Sequence, residues 1–169
     1  MSLAVGDYHG SSPLRDWVLA LKHGGRSELA ALLGRAMAQV WRAEHPAKAE
    51  RVLIVPVPLH PLRHFERGYD QALLLARSVA QELDLPLVRA LKRKRWSAPQ
   101  GTAGSVSRRA NVAGVFETRK RHRQKLEGAQ IWLVDDVLTS GATASECART
   151  LRRAGVQRVG VLMVARARG

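Results

Sequence analysis

The sequence predicts an α/β fold with a mainly parallel sheet and helices on both of its faces. Three continuous apolar runs, at 52–55, 131–134 and 159–164, are typical of strands that are buried on both faces. Segments with the apolar spacing of helices lie between these runs, and such alternation indicates parallel βαβ units. The 169 residues are enough for one domain with a real core, so we expect a single domain over residues 1–169.

The N-terminal part of the chain predicts two helices and no chemistry. Residues 1–12 show no periodicity, and we expect them to form a loose start. Apolar residues with helical spacing run from Leu14 to Leu21 and stop at Gly24 and Gly25. A second helix fits residues 29–40 and ends before Pro46. We expect both helices to pack on the sheet.

The first strand is followed by a polar loop that could bind phosphate. Pro56 and Pro58 end the strand, and a helix and a second strand at Leu87 and Val88 come after the loop. Ligands of such sheets bind at the carboxyl ends of the strands, where this loop lies. Arg63 and Arg67 are therefore candidates for contacting a pyrophosphate, because a guanidinium group binds phosphate oxygens with two hydrogen bonds. The alternative is that both are ordinary surface arginines.

Residues 96–113 predict a mobile loop. The segment is rich in small and polar residues, has no apolar period, and is long for a connection inside a compact domain. Loops of this kind are often lids over active sites. Beyond it, Val115 to Glu117 resembles a short strand, and residues 119–125 form a charged turn.

The strand predicted at residues 131–134 leads directly into a sequence pattern that is typical of a phosphate-binding site. Asp135 and Asp136 follow the apolar run where the strand should end, and a hydroxyl-rich turn and a helix come next. Backbone N–H groups and the helix dipole attract anions at such a turn. The two acids can accept hydrogen bonds from vicinal sugar hydroxyls or lie near a magnesium ion. The alternative is a strand followed by an ordinary capped helix. The predicted phosphate-binding residues are Thr139, Ser140, Gly141, Ala142 and Thr143.

Charge is concentrated in one segment of the chain. The net charge is +14, and residues 89–125 contain twelve basic residues and one acidic residue. Such a segment favours a polyanionic partner or substrate, including single-stranded DNA. The alternative is that these side chains are simply solvated.

Several classes of protein are excluded by what the sequence lacks. No apolar run is long enough for a membrane span, and the first residues have no signal-peptide pattern. Cys147 is the only cysteine, so neither a disulfide nor a cysteine-based zinc site is possible within these residues. A P-loop motif is also absent. We expect a cytoplasmic protein without membrane insertion.

The stretch from Ile131 to Thr143 closely resembles the phosphoribosyl pyrophosphate (PRPP) motif of type I phosphoribosyltransferases. The resemblance implies that Asp135 and Asp136 bind the ribose hydroxyls and that the following turn binds the 5′-phosphate. It implies a type I phosphoribosyltransferase-like fold. It also implies PRPP or a nucleoside 5′-monophosphate as ligand, with Mg²⁺ held by PRPP and water rather than by a protein cage.

A narrower resemblance is to the ComF/GntX family, the competence-associated branch of these proteins. It rests on the segments 55–59, 66–72 and 134–143, together with an early Leu-Lys-His-Gly-Gly segment at 21–25. Further matching residues are Gln100, Arg108, Arg109, Asn111 and Phe116. Family members usually carry Asn where this chain has Asp70, and many begin with a four-cysteine zinc module that is missing here.

The narrower resemblance implies a role in DNA uptake, in competence, or in the salvage of its products through nucleotide metabolism. Three readings stay open: a transferase, a PRPP or nucleotide sensor without turnover, and a single-stranded-DNA-binding accessory of the competence machinery. Base-dependent release of pyrophosphate separates the first two. The acceptor base, the catalytic residues and the oligomeric state cannot be read from the sequence.

Overall fold

The computed structural model describes residues 1–8, 12–45, 51–59, 68–94 and 114–167. Its central sheet has the strand order β1-β6-β5-β2, and every neighbouring pair is parallel. The α/β fold with a mainly parallel sheet is therefore confirmed. The strands are β1 (Ser2–Asp7), β2 (Val52–Pro56), β5 (Gln130–Leu138) and β6 (Arg158–Arg166).

Helices cover both faces of this sheet, as predicted. One face carries α1 (Pro13–His23), α2 (Leu29–Glu44) and α3 (Gln71–Leu83), whose apolar residues form one buried cluster with Trp132 and Val134 of β5. The other face carries α4 (Arg123–Leu126) and α5 (Ala142–Arg152), which pack with Ile131 and Leu133. Successive residues of β5 thus point to opposite faces, as in any strand.

A two-stranded antiparallel arm stands beside the sheet. It consists of β3 (Leu91–Arg93) and β4 (Phe116–Thr118), paired from Leu91 with Thr118 to Arg93 with Phe116. The short strand near Val115 is confirmed. The predicted strand at Leu87 and Val88 is reduced to a single parallel bridge between Leu87 and Ile54, because the chain turns away into the arm after it.

The prediction of a loose start was wrong for residues 2–7, whereas residues 9–11 of that segment lie outside the described ranges. Ser2 to Asp7 form the edge strand β1, which pairs in parallel with β6 from Val161 to Arg166. Leu3 and Val5 lie partly buried against the cluster on the α1 face. The strand gives no strong sequence signal because it is an edge strand with one partner and a mixed composition. The charged turn at 119–125 is a 3₁₀ turn (Lys120–His122) followed by α4.

The strand predicted at residues 131–134 is longer than expected. β5 continues through Asp135 and Asp136 to Leu138, and it keeps its register with β6 as far as Arg166. Its other neighbour ends earlier, because β2 pairs only up to Pro56, opposite Val134. The acids therefore lie inside a strand, but where the sheet has already lost the partner on one side.

Candidate functional site

The acid pair, Asp135 and Asp136, lies at the carboxyl end of the sheet. The last contact of β2 with β5 is a hydrogen bond of 2.9 Å from the Val57 N–H to the Val134 carbonyl. Beyond it β5 has β6 as its only strand partner among the described residues. Because side chains alternate along a strand, Asp136 faces α1 and Asp135 faces α5.

Asp135 is held in an environment that favours its protonated form. Its Oδ1 accepts a hydrogen bond of 2.9 Å from the backbone N–H of Asp136. Burial and the neighbouring charge of Asp136 raise the pKa of Asp135 to about 8, and the charge of Asp70 acts in the same direction. The protonated carboxyl is therefore favoured more than in an ordinary aspartate, and in that form it can donate as well as accept a hydrogen bond.

Asp136 is buried and held by two donors on one oxygen. The Nζ atom of Lys22, at the end of α1, lies 3.1 Å from Asp136 Oδ1. The backbone N–H of Val137 donates to the same oxygen at 2.6 Å. Asp136 is 8% exposed and joins β5 to α1, so it contributes to the packing of this region as well as to the candidate site.

The turn of residues 139–143 leads from β5 into α5. Gly141 has a φ of 70°, a left-handed conformation that glycine adopts without a steric penalty, and it is the residue before the helix. Thr139 and Ser140 are exposed, and α5 starts at Ala142. The structure thus brings the predicted hydroxyls to the N-terminus of an eleven-residue helix, next to the acid pair in the chain.

A cavity of about 390 Å³ opens between the end of β2, the start of α3 and the arm. Its cationic lining is Arg89, Lys92, Arg93 and Arg119. The Nε atom of Arg119 is buried and has no hydrogen-bond partner among the described residues. Asp70 also lines the cavity and caps α3 by accepting a 3.0 Å hydrogen bond from the Leu73 N–H.

A second groove, of about 360 Å³, lies between the arm, α4 and the C-terminal end of α5. Two acids line it, and both are already paired: Glu117 with Lys92 at 2.9 Å, and the buried Glu146 with Arg149 at 3.1 Å. No ion pair is seen between its cations and another described residue. These cations are Lys94, Lys120, Arg123 and Arg153.

Other candidates for chemistry in the described ranges are few. No group of three His, Cys, Asp or Glu side chains there could hold a metal ion. Cys147 is buried, and burial raises the pKa of its thiol, so it stays protonated near neutral pH and is a poor nucleophile. No helix in these ranges has the length and apolar character needed to cross a membrane.

Several predicted residues fall outside the described ranges. These are the pyrophosphate candidates Arg63 and Arg67, and the loop residues Gln100, Arg108, Arg109 and Asn111. The predicted lid, residues 96–113, also lies there.

One residue of the site was missed, because the sequence analysis gave no role to Lys22. The only signal was its place in the early Leu-Lys-His-Gly-Gly segment.

The chain is similar in sequence to a phosphoribosyl transferase domain family and to proteins named for competence and for DNA utilization. The family described as Phosphoribosyl transferase domain matches residues 69–169. Competence protein F of Haemophilus influenzae is 36% identical over 115 residues, which cover 68% of this chain and 50% of that protein. The DNA utilization protein YhgH of Salmonella typhimurium is 34% identical over 167 residues, which cover 97% of this chain and 71% of that protein. The chain thus spans half the length of the first relative.

The fold is similar to that of two enzymes whose structures have been solved. The allosteric regulatory enzyme of purine biosynthesis has a TM-score of 0.53 and 21% identity, over 81% of this chain and 25% of that one. The glutamine PRPP amidotransferase of B. subtilis, solved with ADP and GMP, has a TM-score of 0.51 and 22% identity, over 80% of this chain and 26% of that one. At these identities the likeness concerns the fold alone.

Proposed function

We propose that this chain, which belongs to the phosphoribosyl transferase domain family and to its ComF branch, binds PRPP or a nucleoside 5′-monophosphate. The observation that carries the proposal is the acid pair followed directly by the 139–143 turn at the N-terminus of α5. The turn offers backbone N–H groups and hydroxyls to a 5′-phosphate. Asp135 and Asp136 offer oxygens to the two vicinal hydroxyls of a ribose.

The environment of the acids supports an anionic ligand despite the two carboxyl groups. Lys22 compensates the charge of Asp136, and the raised pKa of Asp135 reduces the negative charge of that carboxyl near neutral pH. The site therefore keeps its hydrogen-bonding oxygens with little net negative charge. A phosphate group beside it meets less repulsion than two ionised carboxylates would cause.

Transfer chemistry at this site would be a displacement at the sugar C1 atom. A base nitrogen forms its bond to C1 and gives up its proton to solvent, while the bond from C1 to the pyrophosphate oxygen breaks. Both electrons of that bond leave with pyrophosphate. Arg89 and Arg119 line the neighbouring cavity, where their charges could stabilise the leaving group. Mg²⁺, held by pyrophosphate oxygens and water, would screen the same charge.

Binding is tested by calorimetric titration of PRPP into the protein with and without Mg²⁺. Thr139→Ala combined with Ser140→Ala removes two exposed hydroxyls of the turn, so we expect at least tenfold weaker binding with unchanged stability. Ser27→Ala, in another exposed turn, is the matched control. Equal affinity of wild type and the double variant would contradict the role of these hydroxyls. Wild type without any affinity for PRPP or nucleotide would contradict the proposal as a whole.

A screen of bases for pyrophosphate release then separates a transferase from a sensor. Release that depends on one base identifies both the activity and the acceptor. Tight PRPP binding without release for any base favours a sensor in competence or DNA utilization, the processes named for the relatives.

Single-stranded DNA is a second candidate ligand, because the second groove carries four cations that form no ion pair with another residue of the described ranges. Its lining residues Thr150 and Arg153 belong to the C-terminal end of α5, whereas the 139–143 turn precedes the N-terminus of that helix. Eleven residues of helix separate the two ends by about 16 Å. We therefore expect PRPP and an oligonucleotide to bind together. Displacement of a labelled oligonucleotide by equimolar PRPP would place both ligands in one site.

A further inference from the structure

The last turn of α1 contacts the acid pair, although α1 does not belong to the part of the sequence that matches the phosphoribosyl transferase domain family. That match begins at residue 69, whereas Lys22 belongs to the N-terminal helices. Its ammonium group lies 3.1 Å from Asp136, and only 20% of the Lys22 side chain and 11% of the Asp136 side chain are exposed. A pair this shielded from water is screened little by salt.

We propose that Lys22 is a positioning residue of the ribose site, a role that rests on the proposed function. Lys22 and the Val137 N–H both bind Oδ1 of Asp136, which fixes the rotamer of that carboxylate. No described residue donates a hydrogen bond to its other oxygen, Oδ2. That oxygen is therefore the one left to accept a hydrogen bond from a sugar hydroxyl.

The helix that carries Lys22 is itself tied to the segment before α3. The hydroxyl of Tyr69 donates a hydrogen bond of 2.5 Å to the carbonyl of Leu21. Leu21 is fully buried and anchors this end of α1 in the core. The final turn of α1 is thus held by Tyr69 on one side and by Asp136 on the other. In this arrangement α1 connects the start of α3 to the acid pair.

The ion pair between Lys22 and Asp136 also affects the neighbouring carboxyl group of Asp135. The positive charge of Lys22 lowers the pKa of Asp135, against the stronger effects of burial and of Asp136 that raise it. Asp70, which caps α3, is the further negative charge acting on Asp135. Loss of the ammonium group leaves Asp136 buried without its partner and moves the titration of Asp135 to higher pH.

The test uses Lys22→Met, which keeps most of the side-chain length, and Lys22→Arg, which keeps the charge. Lys125→Met, at an exposed lysine of α4, is the matched control. In the ligand-free protein, carboxyl carbon NMR follows the titration of Asp135, and Hα–Hβ couplings report the rotamer of Asp136. We expect Lys22→Met to raise the pKa of Asp135 and to average the Asp136 rotamers. Lys22→Arg and Lys125→Met should leave both unchanged.

Calorimetry with PRPP gives the functional readout. Lys22→Met should weaken binding at least tenfold, and it should have no further effect in an Asp136→Ala background, because Lys22 acts through that residue. Lys22→Gln replaces Lys22→Met if the latter does not fold. Unchanged NMR titration and rotamers in the Lys22 variant overturn the proposal, as does equal PRPP affinity. If wild type binds no PRPP, the proposed function fails, while the NMR measurements still decide whether Lys22 positions Asp136.

Discussion

The carboxyl group of Asp135 has its chemistry set by its surroundings more than by its residue type. An aspartate in an unfolded chain has a pKa of 3.8, whereas burial and the charge of Asp136 raise the pKa of Asp135 to about 8 in the folded protein. Between these values the folded protein keeps a proton that the unfolded chain has released. Asp135 therefore stabilises the fold most below about pH 4, and this contribution is lost as the pH rises through about 8.

Asp135→Asn should remove this pH dependence, because an amide does not titrate. We expect the free energy of unfolding of wild type to fall more steeply between pH 5 and 8 than that of the variant, by at most about 1.4 kcal/mol per pH unit. Urea unfolding across this range measures the difference. Asp16→Asn, at an exposed aspartate, is the control. Parallel profiles of wild type and Asp135→Asn would show that Asp135 is ionised in the folded state.

Asp70 caps α3 through a hydrogen bond that a neutral side-chain acceptor could also provide. Asp70→Ala removes the acceptor of the Leu73 N–H and should lower stability by about 1 kcal/mol. Asp70→Asn keeps an acceptor and should stay within about 0.5 kcal/mol of wild type. Thermal or urea unfolding of the two variants measures this. Equal losses for both would mean that the charge, rather than the hydrogen bond, holds this end of the helix.

Sequence predicted the residues of the motif better than those that support it. The acids and the 139–143 turn were found because their chemistry depends on residues that are adjacent in the chain. Lys22 lies more than a hundred residues before Asp136, and only the packing of α1 on the sheet brings them together. The assignment of the motif residues to ribose and phosphate stays a prediction until a ligand is measured.

At the level of secondary-structure elements, strands and helices with long apolar patterns were predicted well. The edge strand of the sheet and the end of β5 were predicted poorly. β2, β5, β6 and the helices α1, α2 and α3 follow from their apolar spacing, because each buries a continuous face. β1 was missed because an edge strand needs little apolar sequence once β6 provides its partner. The end of β5 was misplaced because hydrogen bonds to β6 extend the strand through two acidic residues.

The crossing of α2 and α3 depends on the absence of a side chain at Gly34. A Cβ atom built on Gly34 would lie 2.4 Å from the Cβ atom of Ser78, which leaves no room for Gly34→Ala. We expect that substitution to lower the free energy of unfolding by about 1–3 kcal/mol, despite the higher helix propensity of alanine. Ser78→Gly should cost less in the Gly34→Ala background than in wild type, since it restores the space. Additive effects in this double-mutant cycle would contradict the close contact.

On the scale of the whole molecule, positive charge is distributed around two separate recesses. The cavity beside β2 and the groove at the C-terminal end of α5 both carry cations, but Lys92 is already paired with Glu117 and Arg93 lies 5.6 Å over the ring of Phe116. Charge reversal at Lys92 and Arg93 would therefore disturb the arm. Variants at Lys120, Arg123 and Arg153 test nucleic-acid binding more cleanly.

Single-stranded DNA bound in the groove should show a salt dependence set by these cations. Four phosphate contacts predict a slope of log affinity against log salt of about −3, at about −0.7 per contact. Lys120→Glu together with Arg123→Glu should roughly halve this slope and leave PRPP binding unchanged. Fluorescence anisotropy of a labelled oligonucleotide across a salt series measures it. Absence of binding at low salt, or an unaltered slope in the variant, would mean that these cations are solvated surface charges without a role in binding DNA.

The central claim is that one site takes a 5′-phosphate at the 139–143 turn and a sugar diol at the acid pair. Its most direct test is a calorimetric comparison of a nucleoside 5′-monophosphate with its 2′,3′-dideoxy analogue, which lacks only the two hydroxyls. Wild type should bind the ribonucleotide at least tenfold more tightly, and Asp135→Ala should largely remove that preference, whereas Asp16→Ala should keep it. Equal affinity of wild type for the two nucleotides would contradict the recognition of the diol by Asp135 and Asp136.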